Sequence, residues 1–111
     1  MIELWHNPAC SKSRATLALL EERSEEVRIV RYLDTPPSRE RLAAVAALLA
    51  GGAKALLRSG EAPPDLAAAD DAGILDALAA TPTLIQRPVV ITELGARIGR
   101  PPEAVLEVLP T

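Results

Sequence analysis

The amino-terminal part of the chain reads Ile2-Glu3-Leu4-Trp5-His6-Asn7-Pro8-Ala9-Cys10-Ser11-Lys12-Ser13-Arg14. Its first four residues predict a short buried strand, and residues 13–23, with Leu17 and Leu20 on one face, predict a helix. Cys10, the only cysteine of the chain, lies between them. A thiol at the start of a helix faces unpaired backbone N–H groups and the positive end of the helix dipole, and both favour the thiolate. The loop therefore predicts an active site with a nucleophilic cysteine.

The residues around Cys10 support this interpretation. A lone cysteine is often a small buried apolar residue without chemistry, but its neighbours would then be apolar. Here Lys12 and Arg14 add positive charge, and His6, the only histidine, is a further candidate for doing so. The spacing Cys10-x-x-Ser13 resembles a redox Cys-x-x-Cys motif in which the second sulfur is replaced.

Length and composition limit the possible functions. A chain of 111 residues is long enough for one domain with a core, so residues 1–111 are predicted to form a single domain. The net charge of -3 and the near absence of aromatic residues argue against a nucleic-acid partner. No stretch approaches the roughly 20 apolar residues that span a bilayer, so we expect no membrane segment and a cytoplasmic protein. One cysteine cannot form an internal disulfide, so thiol redox chemistry needs a second sulfur from another molecule.

The centre of the chain is predicted to be helical. A strand rich in β-branched residues, 27–33, is followed by a turn at 34–37. Ser38 is then expected to cap a helix that carries Leu42, Val45 and Leu49 and ends at Gly51-Gly52. Further predictions are a short helical piece at 53–58, a loop at 60–64 and a helix that begins at Asp70 or Asp71.

The carboxyl-terminal part returns to extended structure. Residues 83–85 and 88–91 read as strands, with a turn at 92–95 between strands and a final helix at 104–109. A βαβ opening, a helical insert and closing strands predict an α/β fold with a mixed β-sheet flanked by helices. Cys10 then lies at the carboxyl end of the first strand, where open α/β sheets bind ligands.

Three arginines are candidates for an anion site. Arg58, Arg87 and Arg100 each lie in a loop or at an element end, where this fold could bring them toward Cys10. Guanidinium groups offer paired donors that match the geometry of a tetrahedral oxyanion. The alternative is ordinary surface arginine, since the chain has ten of them.

The sequence resembles the glutaredoxin-dependent arsenate reductases over almost its whole length. The matching segments are His6-Asn7-Pro8-Ala9-Cys10, Ser13-Arg14, Tyr32-Leu33, Pro36-Pro37-Ser38-Arg39, Ala55-Leu56-Leu57-Arg58, Arg87-Pro88-Val89-Val90 and Arg97-Ile98-Gly99-Arg100-Pro101. The resemblance implies a thioredoxin/glutaredoxin-like fold with a helical insert. It also implies a cis peptide bond at Arg87-Pro88.

The resemblance assigns roles to the candidate residues. It implies that Cys10 is the nucleophile and that a catalytic histidine, His6, helps to keep it ionised. It implies that arsenate is bound, and the arsenite adduct stabilised, by Arg58, Arg87 and Arg100. Ser13 and Arg14 are expected to belong to the same substrate site.

The implied reaction is the reduction of arsenate to arsenite through a thiol-arsenate ester on Cys10, resolved by glutathione and glutaredoxin. We expect no bound cofactor or metal ion, with glutathione as a co-substrate. Two alternatives stay open at this point. One is another glutathione-linked thiol oxidoreductase, and the other is a non-catalytic regulator like the Spx-type proteins that bind RNA polymerase.

Overall fold

A computed structural model describes residues 2–23 and 26–109. The strands are β1 (Ile2–Trp5), β2 (Val27–Val30), β3 (Val89–Thr92) and β4 (Gly95–Ile98). The α-helices are α1 (Ser11–Arg23), α2 (Arg39–Leu48), α3 (Pro64–Ala67) and α4 (Asp71–Ala80). Short 3₁₀ helices cover Gly52–Leu56, Pro82–Leu84 and Pro102–Val108.

The four strands form one mixed sheet in the order β2-β1-β3-β4. Strand β1 runs parallel to β2 and antiparallel to β3, so that Leu4 lies opposite Ile29 on one side and Val90 on the other. Strands β3 and β4 form an antiparallel hairpin in which Gly95 adopts a φ of 136°, a conformation that favours glycine. The predicted mixed sheet is confirmed, and its topology places the Cys10 loop at the carboxyl end of β1.

The sheet is covered on both faces. Trp5, Val89 and Ile91 pack with helices α2 and α4 on one side. Leu4 and Val90 pack with α1 and the carboxyl-terminal 3₁₀ helix on the other. All four residues of β3 are buried, so the apolar residues Val89, Val90 and Ile91 follow one another directly instead of alternating with polar ones.

The predicted helical insert lies between β2 and β3, and its caps are confirmed. The Ser38 hydroxyl accepts a hydrogen bond from the backbone N–H of Arg41 at 3.1 Å, and Asp70 Oδ1 accepts one from the N–H of Gly73 at 2.8 Å. Helix α2 ends at Leu48, earlier than predicted. Helix α3 begins at the last residue of the predicted 60–64 loop.

The predicted strand 27–33 is too long. Strand β2 ends at Val30 because the carbonyl of Arg31 accepts the N–H groups of Asp34 and Thr35, both at 2.9 Å, and closes a turn. The turn directs the Tyr32 side chain into the core, where it is 1% exposed.

The predicted strand 83–85 is wrong. Pro82 has a fixed φ that suits the first turn of a helix, so Pro82–Leu84 is a 3₁₀ helix. Only an isolated antiparallel bridge between Leu57 and Ile85 remains of extended pairing there. The final helix is also of the 3₁₀ type and begins earlier, at Pro102.

A close approach at Gly99 brings the end of β4 to the site. A Cβ atom at this position would lie 2.6 Å from Thr16 Oγ1 of α1 and 2.7 Å from Pro88 Cγ. The N–H of Gly99 donates to the carbonyl of Pro88 at 2.9 Å. Glycine therefore lets the residues on either side of this contact, Arg87 and Arg100, come together beside α1.

Candidate active site

Cys10 is the residue that caps helix α1, which begins two residues earlier than predicted. Its carbonyl accepts the N–H of Arg14 at 3.0 Å, so Cys10 occupies the N-cap position. A side chain at that position faces the N–H groups of the second and third helical residues. These belong to Lys12 and Ser13, whose backbone N–H groups hydrogen-bond the Cys10 sulfur.

The surroundings of the sulfur favour the thiolate. Burial raises the pKa of Cys10, but the N–H groups of Ser13 and Lys12 and the charges of Arg87 and Arg100 outweigh it and hold the pKa below its ordinary value. Arg100 Nη2 lies 3.8 Å from Cys10 Sγ. Because the thiolate is the nucleophilic form, this environment makes Cys10 reactive.

Arg87 and Arg100 are joined across the β-hairpin. Arg100 Nε donates to the carbonyl of Arg87 at 2.7 Å, which leaves Arg100 Nη2 to face the thiol. The Arg87-Pro88 bond is cis, as the resemblance implies, and Arg100-Pro101 is cis as well. Arg87 Nε is buried and has no hydrogen-bond partner among the described residues. Buried polar groups are normally paired, so this N–H is an exception beside the site.

Arg58 stands on the far side of a pocket that all three arginines line. This pocket, which we call the arginine pocket, has a volume of about 210 Å³. It is lined by Arg58, Ser59, Gly60, Glu61, Gln86, Arg87 and Arg100. Arg58 Nη1 donates to the carbonyl of Thr83 at 3.3 Å, and Nη2 lies 3.4 Å from Glu61 Oε1. The structure thus brings the three predicted arginines to one pocket, with Arg87 and Arg100 acting directly on Cys10. Their roles in catalysis stay predictions.

His6 is buried and contacts Ser13. Its Nδ1 lies 2.6 Å from Ser13 Oγ, which also accepts the N–H of Asn7 at 3.0 Å. The Ser13 hydroxyl and His6 Nδ1 thus share one hydrogen bond, whose donor is set by the tautomer of the imidazole ring. Burial, followed by the charges of Arg31 and Arg14, lowers the pKa of His6. His6 is neutral at pH 7, so the positive charge expected from it is absent.

Two of the expected substrate-binding residues, Ser13 and Arg14, use their side chains in contacts with the Cys10 loop rather than in the pocket. The Ser13 hydroxyl is buried and bonded to His6 and Asn7, so only the backbone N–H of Ser13 serves the site. Arg14 Nη1 donates to the carbonyl of Pro8 at 2.8 Å and braces the loop. The side chains of Lys12 and Arg14 are exposed, and the charges that lower the pKa of Cys10 are those of Arg87 and Arg100.

A second cavity, of about 320 Å³, lies between α2 and α4. It is lined mostly by alanine and leucine, with Asp71 as its one charged lining residue among the described part of the chain. It offers no nucleophile and no anion ligand, so we assign the site to the arginine pocket. In residues 2–23 and 26–109, no helix combines the length and the apolar character that crossing a membrane requires.

The sequence profile of the ArsC family matches residues 5–108, a range that contains Cys10 and all three arginines. The chain belongs to the ArsC family. The arsenate reductase of Escherichia coli K12 is 41% identical over 114 residues, which cover 98% of this chain and 81% of that protein. The Escherichia coli K12 protein with the name uncharacterized protein YfgD is 40% identical, over 97% of this chain and 96% of its own length.

Solved structures of ArsC-type proteins share the fold. The arsenate reductase from Vibrio cholerae superposes with a TM-score of 0.87 at 39% identity and covers 97% of both chains. The putative arsenate reductase from Yersinia pestis gives a TM-score of 0.86 at 41% identity, over 97% of this chain and 100% of that one. The thioredoxin-like fold that the sequence predicts is confirmed.

The site of this ArsC chain includes residues to which sequence reasoning gave no role. Burial raises the pKa of Tyr32, although the charge of Arg87, a hydrogen bond from the Asn7 side chain and the charge of Arg58 oppose it. Asn7 also accepts the N–H of Ala9 through Oδ1 at 3.0 Å and thereby shapes the loop. The only sequence signal for Tyr32 was its place in the matching segment Tyr32-Leu33.

Proposed function

We propose that the chain is an arsenate reductase in which Cys10 is the nucleophile. One observation carries the proposal: Arg100 Nη2 stands 3.8 Å from the Cys10 sulfur and also lines the pocket that Arg58 and Arg87 share. Arg100 thus connects an activated thiolate to a pocket whose guanidinium groups match a tetrahedral oxyanion. The relatives named arsenate reductase support arsenate as that anion.

In the first step, arsenate binds in the arginine pocket and the Cys10 thiolate attacks arsenic. A sulfur–arsenic bond forms, an arsenic–oxygen bond breaks, and the oxygen leaves as water after protonation. The product is a thiol ester of As(V) on Cys10. Arg87 and Arg100 stabilise the negative charge that develops on the remaining oxygens, the kind of preorganised electrostatic effect that dominates many enzymes.

The two electrons that reduce As(V) come from two external thiols, because the chain has one cysteine. Glutathione replaces a further oxygen on arsenic, which again leaves as water. A glutaredoxin thiolate then attacks the glutathione sulfur, a mixed disulfide forms, and the electron pair of the broken sulfur–arsenic bond stays on arsenic as As(III). Water hydrolyses the Cys10–arsenic bond and returns arsenite and the free thiol. No bound cofactor is required, and the cytoplasm, where thiols are kept reduced, is the compartment that suits this reaction.

The proposal is tested by arsenate-dependent NADPH oxidation in the presence of glutathione, glutathione reductase and glutaredoxin. We expect turnover that requires arsenate, glutathione and Cys10 together, and none with Cys10→Ser. Turnover with mixed disulfides of glutathione, in the absence of arsenate, would instead indicate a different glutathione-linked thiol oxidoreductase.

The arginine pocket has its own test in the same assay. Removing one preorganised donor from an oxyanion site costs about 10²–10³ in rate, so Arg87→Ala and Arg100→Ala should lose turnover by that order. Arg97→Ala, a change of equal charge on β4, serves as the matched control. Loss of the circular dichroism signal in the Arg87 or Arg100 variant would show that the residue is needed for folding and would overturn its assignment.

A further inference from the structure

The arginine pocket contains one residue that an oxyanion does not need. Glu61 lines it together with Arg87 and Arg100, and its carboxylate lies 3.4 Å from Arg58 Nη2. A carboxylate repels a bound dianion, so a pocket that held arsenate alone would be better without it. The Glu61 side chain is 63% exposed and that of Arg58 is 23% exposed, which places Glu61 at the mouth.

The pocket is also larger than a tetrahedral oxyanion. Its volume is about 210 Å³, and it opens to solvent. Four oxygens around one arsenic atom fill only part of this space. The remainder lies against Ser59, Glu61 and Gln86, which are polar residues.

The two ends of the pocket have different charge. At the inner end Arg100 touches the Cys10 thiol and the surroundings are cationic. At the mouth the guanidinium of Arg58 and the carboxylate of Glu61 stand side by side. A pair of opposite charges complements a zwitterion, in which a carboxylate and an ammonium group share one carbon. The Arg58–Glu61 pair is exposed and its mutual stabilisation is small, so a ligand can replace it at little cost.

We propose that the mouth of the pocket binds the γ-glutamyl end of glutathione. The ammonium group of that end pairs with Glu61, its α-carboxylate pairs with Arg58, and the thiol points inward toward Cys10. This inference rests on the proposed function, in which glutathione delivers the second thiol to arsenic on Cys10. It makes Glu61 and Arg58 binding residues for the co-substrate and leaves Arg87 and Arg100, whose charges act on Cys10, for arsenate.

The test uses S-methylglutathione, whose blocked thiol cannot react, so that binding is measured without arsenate or turnover. Isothermal titration gives its Kd for the native chain, for Glu61→Gln and for Glu22→Gln, a matched change on the exposed side of α1. We expect Glu61→Gln to raise Kd about two- to fivefold, the loss of one largely exposed ion pair, and Glu22→Gln to leave it unchanged.

The N-acetylated form of S-methylglutathione, which lacks the ammonium charge, completes a double-mutant cycle. Acetylation should weaken binding to the native chain and have little further effect on Glu61→Gln. An equal penalty of acetylation in both proteins, or an unchanged Kd for Glu61→Gln, would overturn the assignment.

The two proposals fail separately. If arsenate is not reduced but the cycle shows coupling between Glu61 and the ammonium group, the glutathione site stands and the arsenate assignment falls. If arsenate is reduced but Glu61→Gln leaves the KM for glutathione unchanged, the γ-glutamyl site is refuted. With both proposals correct, Glu61→Gln raises the KM for glutathione and does not raise the KM for arsenate.

Discussion

Replacing Arg100 by glutamine removes a positive charge that lies 3.8 Å from the Cys10 sulfur and keeps a side chain of similar reach. Two unit charges about 4 Å apart interact by about 1 kcal/mol in bulk water and by about 4 kcal/mol at the effective dielectric constant near a protein surface. Cys10 is only partly buried, so the interaction belongs in the lower half of this range. One pKa unit corresponds to about 1.4 kcal/mol. We therefore expect the pKa of Cys10 to rise by about 1 unit in Arg100→Gln.

The pKa is measured from the rate of alkylation by iodoacetamide as a function of pH. The chain has a single cysteine, so the reagent reports one site. In the native protein the rate should reach half of its plateau below the pH of about 8.5 at which a free cysteine titrates. In Arg100→Gln the whole profile should move to higher pH.

The matched control is Arg97→Gln. Arg97 also lies on the β-hairpin and is partly buried, but its Nη2 faces Glu107 at 3.8 Å. The substitution changes the net charge by the same amount and leaves Arg100 in place beside the Cys10 sulfur. A native-like profile for Arg100→Gln, or an equal shift for Arg97→Gln, would refute the assignment of a local Arg100–thiolate interaction.

Three further predictions concern the scaffold of the site. Gly99→Ala should lower the free energy of unfolding in urea by about 1–3 kcal/mol, because the new Cβ overlaps α1 and Pro88; Gly60→Ala, where a Cβ meets nothing within 4 Å, should not show this steric loss. His6 has a lowered pKa, so its unfolded form binds protons first and the native chain should lose stability as the pH falls below about 6.5. In His6→Gln this part of the loss should vanish, and a parallel pH dependence in the two proteins would contradict the neutral His6. Tyr32→Phe should cost about 1 kcal/mol of unfolding free energy through its hydroxyl hydrogen bond, and an unchanged urea midpoint would show that the bond contributes nothing.

Local signals predicted the parts of the fold that depend on neighbouring residues. Ser38 and Asp70 are N-caps because a short polar side chain can accept the free N–H groups of a first helical turn, and this needs no tertiary contact. Cys10 was expected between β1 and α1 from the strand and helix patterns on either side, and the structure shows that the helix begins directly after it. Where local and tertiary preferences compete, the prediction failed. Residues 31–33 have strand propensity, yet burial of Tyr32 ends the strand at Val30.

The electrostatics of the site could not be read from nearby residues. Lys12 and Arg14 are closest to Cys10 in sequence, but the charges that act on it come from Arg87 and Arg100, which only the β3–β4 pairing brings to α1. Positions in loops and at element ends made the three arginines candidates, and the resemblance supplied their roles.

The charge state of His6 could not be predicted from neighbouring residues either. Its charge state depends on burial and on one hydrogen bond to Ser13, and neither leaves a mark in the sequence. Glu61 had no sequence signal at all, because its place in the pocket follows from the path of the insert.

The central claim is that Cys10, held as a thiolate beside Arg100, is the nucleophile to which arsenate is bound while external thiols reduce it. Direct quantification of arsenite by chromatography with arsenic-specific detection tests it without relying on coupling enzymes. Incubation of the native chain with arsenate, glutathione and reduced glutaredoxin should yield one arsenite for each arsenate consumed, and Cys10→Ser should yield none above the protein-free blank. Arsenite formed equally by Cys10→Ser, or absent from a native chain whose Cys10 still alkylates rapidly at neutral pH, would contradict the account.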